Sequence, residues 1–563
     1  MKKINIICLL SLVAFTSCDS ILDKEPLDTF TNTNFWTNES NVSGYANEFY
    51  EQFTGYGNGS GSGDFYFKTL SDDQAGQSFA DWPYLNIPAS NATWKNGWIE
   101  IRRANIMLEK VADISDMNES VKNHWLGVAH LMRAWQYYHL IRMFGDVQWI
   151  EKSLDITDEG VLYGAREKRD DVMDKVLDDL NFAVANINDV TSKVTWSCSL
   201  ANAMKAEICL YEGTFRKYRK AEDGQDAPDT EGANKFLTAC KEACSAIMAK
   251  SYKLNDSYQG NYNSIDLSGN SEMIFYKAYK QTLLTHSLID YTCSSTQLSG
   301  MSKDAFESYL FTDGKPLSLT SLNKNDAAPL QYGHLSLNDM LSIRDKRLAQ
   351  TIDTVAFYQG NGFTRFNDGM EMTSSTGYGV AKYDNGSIPT MYRNQTSSNY
   401  THAPLFWLAV IYLNYAEACA ELGTITQSDL NNTINLLKDR AGLQHLSVTV
   451  GFHDPANKEN VNDLVWEIRR ERRCELMFDN WNRYWDLIRW HQLDRLDSSI
   501  NPDILRGANV SNDPNCKADK TGNYIDGSKG KVRIYNKKYY LYPLPSDQIS
   551  LNPQLAPNNP GWE

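Results

Sequence analysis

The chain of 563 residues carries a formal net charge of −15, with 55 Lys and Arg against 70 Asp and Glu. Acidity on this scale repels phosphate backbones and excludes nucleic acid as a natural partner. The length allows a large core, and 14 Trp with 31 Tyr supply flat rings with polar handles, suited to cores and to pockets for amphipathic ligands.

The first predicted element is a secretory leader. In "MKKINIICLLSLVAFTSC", Lys2 and Lys3 precede an apolar run from Ile4 to Phe15, too short for the ~20 residues of a membrane helix. Thr16 and Ser17 are the small residues before a cut, so residues 1–17 are the signal and Cys18 begins the mature chain. The pattern resembles a bacterial lipoprotein signal, although Phe15 is bulkier than the leucine often found there. Acyl chains on the Cys18 thiol then tether the protein to a membrane, each buried CH₂ contributing ~0.8 kcal/mol.

Residues 19–100 are rich in Asn, Ser, Gly and aromatics, and "GYGNGSGSG" (55–63) reads as a loop without the GxGxxG spacing of a dinucleotide fingerprint. Helical periodicity begins near Trp98, where Ile101, Asn105, Leu108 and Ala112 recur at three and four. The segment "ESVKNHWLGVAHLMRAWQYYHLIRMFGD" has two apolar stripes and predicts a helix buried on two sides, stopped by Gly145. Further helices are predicted over 167–187, 199–213 and around Phe236–Ile247, as tetratricopeptide-like antiparallel pairs. Residues 251–400 turn to Ser, Thr, Asn, Gly and Tyr with short periodicities, the composition of a loop-rich insertion that forms a binding surface. Helices resume at "PLFWLAVIYLNYAEACAELG", with Pro404 in the first turn and Gly423 at the end, then at "LNNTINLLKDRAG" (430–442). A helix from about 459 carries "NDLVWEIRRERRCELMFDNWNRYWDLIRW", with Arg472 in the middle of an apolar stripe. Arg472 is therefore expected to be buried and paired, with Glu475 or Glu471 as partner.

Cys209, Cys240, Cys244, Cys419 and Cys474 sit in helical apolar patterns and read as small buried hydrophobes, with no zinc spacing. His124, His130 and His139 fall six and nine residues apart on one helix and do not converge on a metal. "DGQDAPDTEG" (223–232) lacks the EF-hand pattern, so calcium is not indicated. HExxH, GxSxG and phosphate-loop motifs are absent, and no cofactor is expected.

The block "ERRCELMFDNWNRYWDLIRW" (471–490) resembles a hallmark of the SusD/RagB family of Bacteroidetes surface lipoproteins. "LMRAWQYYHLIRMFGDVQ" (131–148), "WKNGWIEIRRANIMLE" (94–109) and "LYPLPSDQISLNPQLAPNNPGW" (541–562) resemble other blocks of the same family; Gln148, Gln548 and Trp562 stand where Pro, Glu and Tyr are common. The resemblance implies a mostly α fold, one SusD-like unit over 18–563. In it a tetratricopeptide-like scaffold (about 98–250 and 404–490) carries the 251–400 insertion and a C-terminal signature at 531–563. It implies an outer-membrane lipoprotein facing the cell exterior, which binds glycans, or peptides as in RagB, and passes them to a SusC-like TonB-dependent transporter. Such binding proteins have no catalytic residues to carry over. A surface glycosidase and a helical adaptor that binds only protein are the rival readings.

For ligand contact, aromatics in loops are favoured over those in helices. "SFADWPYLNIP" (78–88) places Phe79, Trp82 and Tyr84 beside Pro83, and flat rings on a stiff support suit the apolar face of a pyranose. Tyr291, Tyr378 and Tyr392 are the candidates from the insertion. Asp72 and Asp73 in "TLSDDQAGQ" are candidates for hydrogen bonds to ligand hydroxyls; as adjacent residues of one loop they do not match the separated carboxylates of a glycosidase. Trp94, Trp98, Trp125 and Trp135 are assigned to structure.

Overall fold

The computed structural model describes residues 35–58, 63–65, 70–76, 80–293, 299–322, 337–367, 369, 371–511 and 513–563. Cys18 and Phe79 lie outside the described residues. The fold is mostly α. Its scaffold begins with α1 (Glu39–Ala46), α2 (Ala92–Ala112), α3 (Glu119–Phe144), α4 (Arg169–Asn186), α5 (Cys198–Tyr218) and α6 (Thr230–Met248). Polar side chains fix most of these starts: Asn38, Asn91, Asn118, Ser197 and Asp229 each accept a hydrogen bond from an otherwise unpaired amide of the first turn. The Asn91 cap explains why α2 starts at Ala92, ahead of the periodicity seen from Trp98. Successive helices pack in series, α2 on α3, α3 on α4, α4 on α5 and α5 on α6. Gly127 and Gly213 permit close approach, since a Cβ would meet Ile187 at 2.9 Å and Leu237 at 2.7 Å.

The chain then leaves the helical layer. β2 (Met273–Lys277), named after β1 (Gln74–Gly76), is followed by the short helices α7 (Leu288–Cys293) and α8 (Lys303–Ser308), with β3 (Ser299–Met301) between them pairing with β1. A hairpin of β4 (Phe363–Thr364) and β5 (Glu371–Met372) precedes α9 (Thr390–Arg393) and β6 (Ala403–Trp407). The layer resumes with α10 (Leu408–Glu421), which packs directly on α6 although residues 249–407 separate them. α11 (Ile434–Ala441) ends at Gly442 in the left-handed conformation, and α12 (Asp463–Glu475) packs on α10. Pro404 is not in a first helical turn. It lies in β6 opposite Tyr276, in a two-stranded ribbon where its missing N–H breaks no second ladder.

The predicted long helix from about 459 is two helices, α12 and α13 (Asn480–Arg489), broken where Phe478 takes a φ of +69°. The break is stabilised by the second of two large cores, which is rich in tyrosine. Tyr258 donates to the Glu475 carbonyl at 3.0 Å, Tyr383 to Phe478 at 3.3 Å, and Lys382 to Met477 at 2.5 Å. Carbonyls freed at a helix C-terminus need such donors when they are buried. The first core joins α2–α6 to α13 through Met107, Leu131, Leu180, Ile208, Cys240 and Leu487. Cys209, Cys240, Cys244, Cys419 and Cys474 are buried free thiols.

Arg472 is buried as expected, but its partners are Asp486 on α13, 2.7 Å from its Nε, and Asn414 on α10, 2.8 Å away. Neither Glu475 nor Glu471 serves it, because both turn to Arg347.

Candidate ligand-binding face

Asp72 and Asp73 belong to the interior. Asp72 takes both forks of Arg483, at 2.7 and 2.6 Å, and Arg495 at 3.0 Å. Arg473 reaches Asp73 at 2.9 Å. Burial alone would raise the Asp72 carboxyl, but Arg473, Arg483 and Arg495 outweigh it and hold it well below the usual range; burial and the Asp72 charge push Asp73 up. Neither side chain reaches solvent, so the expected hydrogen bonds to a ligand are corrected to a buried framework.

Trp82 is likewise a loop anchor. Its Nε1 donates to the Ile534 carbonyl at 2.7 Å and its ring stacks on Tyr539 at 4.4 Å, leaving it 5% exposed. Tyr84 is half-buried, its hydroxyl accepting from the Asn91 cap at 2.6 Å and its ring set edge-on to Tyr542. Tyr378 stacks on Phe306 at 4.6 Å inside the second core. For Trp82 and Tyr378 the reason is the same: the ring face expected to meet a sugar is covered by another ring.

Tyr291 and Tyr392 lie on helices that touch, α7 packing on α9, with Tyr291 against the second core and Tyr392 against a smaller apolar cluster. Asn399 ties the two helices: its oxygen accepts from the Asp290 amide at 3.1 Å and its Nδ2 donates to the Tyr392 carbonyl at 2.6 Å. Thr396 donates to Asp290 at 2.9 Å. The start of the glycine-rich loop is pinned beside them, with Asn58 Oδ1 accepting from Ser287 at 2.6 Å and Ser397 at 2.8 Å. Tyr291, Tyr392 and Tyr400 are each half-buried, and Tyr392 meets Tyr400 edge to face at 6.2 Å.

Beneath this face lies a small apolar cluster of Ile289, Phe357, Met372 and Ile388, against which Phe363, Tyr392 and Tyr400 pack. Phe366 projects from the same region, 53% exposed, over the Arg393 guanidinium at 5.0 Å. Its backbone is left-handed, at φ +63°, a conformation that costs a bulky residue about 1–3 kcal/mol. The cost is met by ion pairs on either side. Arg365 binds Asp353 at 2.9 Å and Asp384 at 2.7 Å, and Arg393 takes Asp384 at 2.8 and 2.7 Å. Burial would raise the Asp384 carboxyl, but the hydrogen bonds from Arg393 and the charges of Arg365 and Arg393 keep it low, so the platform stays charged and rigid.

Exposed ring surface on a fixed base, fringed by exposed Asn394, Gln395 and Thr396, is the chemistry that holds a sugar ring by its C–H face and its hydroxyls by their edges. Phe366 was missed in the sequence. The signal was "GFTRFNDG", an aromatic among residues that tolerate left-handed backbone. Among the described residues no group of His, Cys, Asp or Glu is arranged to hold a metal, and no helix is long and apolar enough to cross a membrane.

A family model described as "SusD family" matches residues 245–562, and one described as "Starch-binding associating with outer membrane" matches residues 22–209. SusD-like protein P2 of Formosa agariphila is 23% identical over 481 residues, 84% of this chain and 80% of that one. The SusD-like protein of Bacteroides ovatus is 22% identical over 514 residues, 87% of this chain and 83% of its own. A SusD-like carbohydrate binding protein from Bacteroides fragilis superposes with a TM-score of 0.70 at 23% identity, covering 93% of this chain and 100% of that one. A laminarin binding SusD-like protein does so with a TM-score of 0.54 at 18% identity, covering 93% and 100%.

Proposed function

The chain belongs to the SusD family, and from that premise we propose that it is a non-catalytic glycan receptor of the bacterial outer membrane. The observation that carries this reading is the family match over residues 245–562. The face around exposed Phe366 and half-buried Tyr392 and Tyr400 gives the reading a location, because rigidly mounted rings with open surface grip a sugar without any need for reacting groups. Catalysis is disfavoured by the fate of the adjacent carboxylates: Asp72 and Asp73 are buried against arginines and unable to flank a glycosidic bond. In this reading a lipid on Cys18 holds the protein at the exterior face, and cargo passes to a SusC-like TonB-dependent transporter.

Affinity electrophoresis and calorimetry of the purified chain against plant, host and microbial glycans test the reading. At least one glycan is expected to bind, with no release of reducing ends, and the Phe366→Ala, Tyr392→Ala double variant is expected to bind at least tenfold more weakly. Binding of peptides alone, or hydrolysis by the purified protein, overturns it.

A further inference from the structure

A cleft of about 330 Å³ opens beside the arginines that hold Asp72 and Asp73 and shares no residue with the aromatic face. Its size lies at the lower end of small-ligand pockets. α8 contributes Asp304 and Glu307, α12 contributes Trp466 and Arg469, Leu317 closes it from a turn and Arg495 from a single 3-10 turn, Leu493–Leu496.

The charges here are already matched. Arg473 holds Asp304 at 2.8 Å, Arg495 lies 3.4 Å from Asp304 and 3.0 Å from Asp72, and Lys303 holds Glu307 at 2.8 Å. A free anion or cation therefore has to displace an existing partner to enter. The pairs are not saturated, however. The side chains of Arg495, Asp304 and Glu307 remain 21%, 27% and 25% exposed within the cleft, so guanidinium donors and carboxylate acceptors of opposite sign face the same space. Arg469 is buried, and its Nε has no hydrogen-bond partner among the described residues. A hydroxyl both donates and accepts, so vicinal hydroxyls bridge such a pair without separating it. Pro316, Leu317 and Pro455 supply an apolar wall for the C–H face of a ring.

We propose that this cleft is a second sugar site, taking a neutral mono- or disaccharide between Arg495, Asp304 and Glu307. The ligand class rests on the glycan-receptor reading; the site itself rests on none of the residues of the aromatic face.

Calorimetry with methyl glycosides and disaccharides of the gluco, manno, galacto and xylo series, and with a dipeptide, tests the proposal in four proteins. These are the unaltered chain, Ser318→Trp, which puts an indole into the cleft from an exposed position, Glu307→Gln, which keeps the shape and removes the charge, and Phe366→Ala. One disaccharide is expected to bind the unaltered chain and Phe366→Ala alike, at least tenfold more weakly to Ser318→Trp and several-fold more weakly to Glu307→Gln. Equal binding in all four proteins, displacement by the dipeptide, or no binding of any short sugar overturns the second site. In the last case, retained binding of a long glycan by the unaltered chain leaves the receptor reading standing, and loss of both removes both.

Discussion

Arg472 illustrates what a single position discloses. Its place in an apolar stripe made burial legible, because an arginine there has to be paired. Its partner was not legible, because Asp486 arrives from beyond the kink at Phe478, and one-dimensional spacing favoured the acids on the same helix. Arg472→Ala leaves Asp486 and Asn414 short of a donor and is expected to lower stability by about 3–5 kcal/mol in urea unfolding, with ligand preference unchanged. His286 gives a pH prediction. Its Nε2 faces the Thr401 carbonyl at 3.0 Å and its Nδ1 accepts from the Leu288 amide at 3.2 Å, an arrangement that needs the neutral ring. Burial lowers the imidazole to about 3, aided by the nearby His402 charge, so below pH 6.5 the unfolded chain binds the proton and the folded one refuses it. Stability is therefore expected to fall with pH, by about 2 kcal/mol from this group at pH 5. A His286→Asn variant is expected to show a shallower decline of melting temperature between pH 7 and pH 5, and an equal slope would refute the assignment.

At the level of elements, the long helices were readable because 3.6-residue periodicity and caps act locally. The breaks were not. The gap between α12 and α13 exists because Tyr258, Tyr383 and Lys382, remote in sequence, satisfy carbonyls that an uninterrupted helix would have satisfied itself. Pro404 was misplaced for a related reason: a strand partner over a hundred residues earlier, at Met273–Lys277, decides its conformation. The candidate face was half legible. Tyr291 and Tyr392 were singled out and lie on touching helices, whereas the rings at positions 82 and 378 looked identical in sequence and differ only in what covers them. Gly379 tests how the face is supported, since a Cβ there would sit 1.9 Å from the Phe357 ring, which stacks on Phe363 at 5.5 Å. Gly379→Ala is expected to lower the melting temperature and weaken glycan binding together; loss of one without the other would separate the face from its base.

For the molecule as a whole, family blocks spread along the sequence identified the architecture before any contact was known, because each block encodes a piece of buried framework. Ligand identity is not encoded that way, since it depends on surface loops whose residues have few partners to constrain them. Attachment is open to a direct check: Cys18→Ala is expected to move the protein from the membrane fraction to the soluble fraction, and persistence in the membrane would exclude a lipid tether at that position. The pairing of Asp72 and Asp73 with arginines 400 to 423 residues away also bears on biogenesis. On the proposed surface location the chain is exported amino end first, so those acids emerge long before their counterions and the centre closes only once nearly all of the chain has passed. Contacts so distant along the chain make for slow assembly, and until they form the Asp72 and Asp73 carboxylates stay unpaired in water.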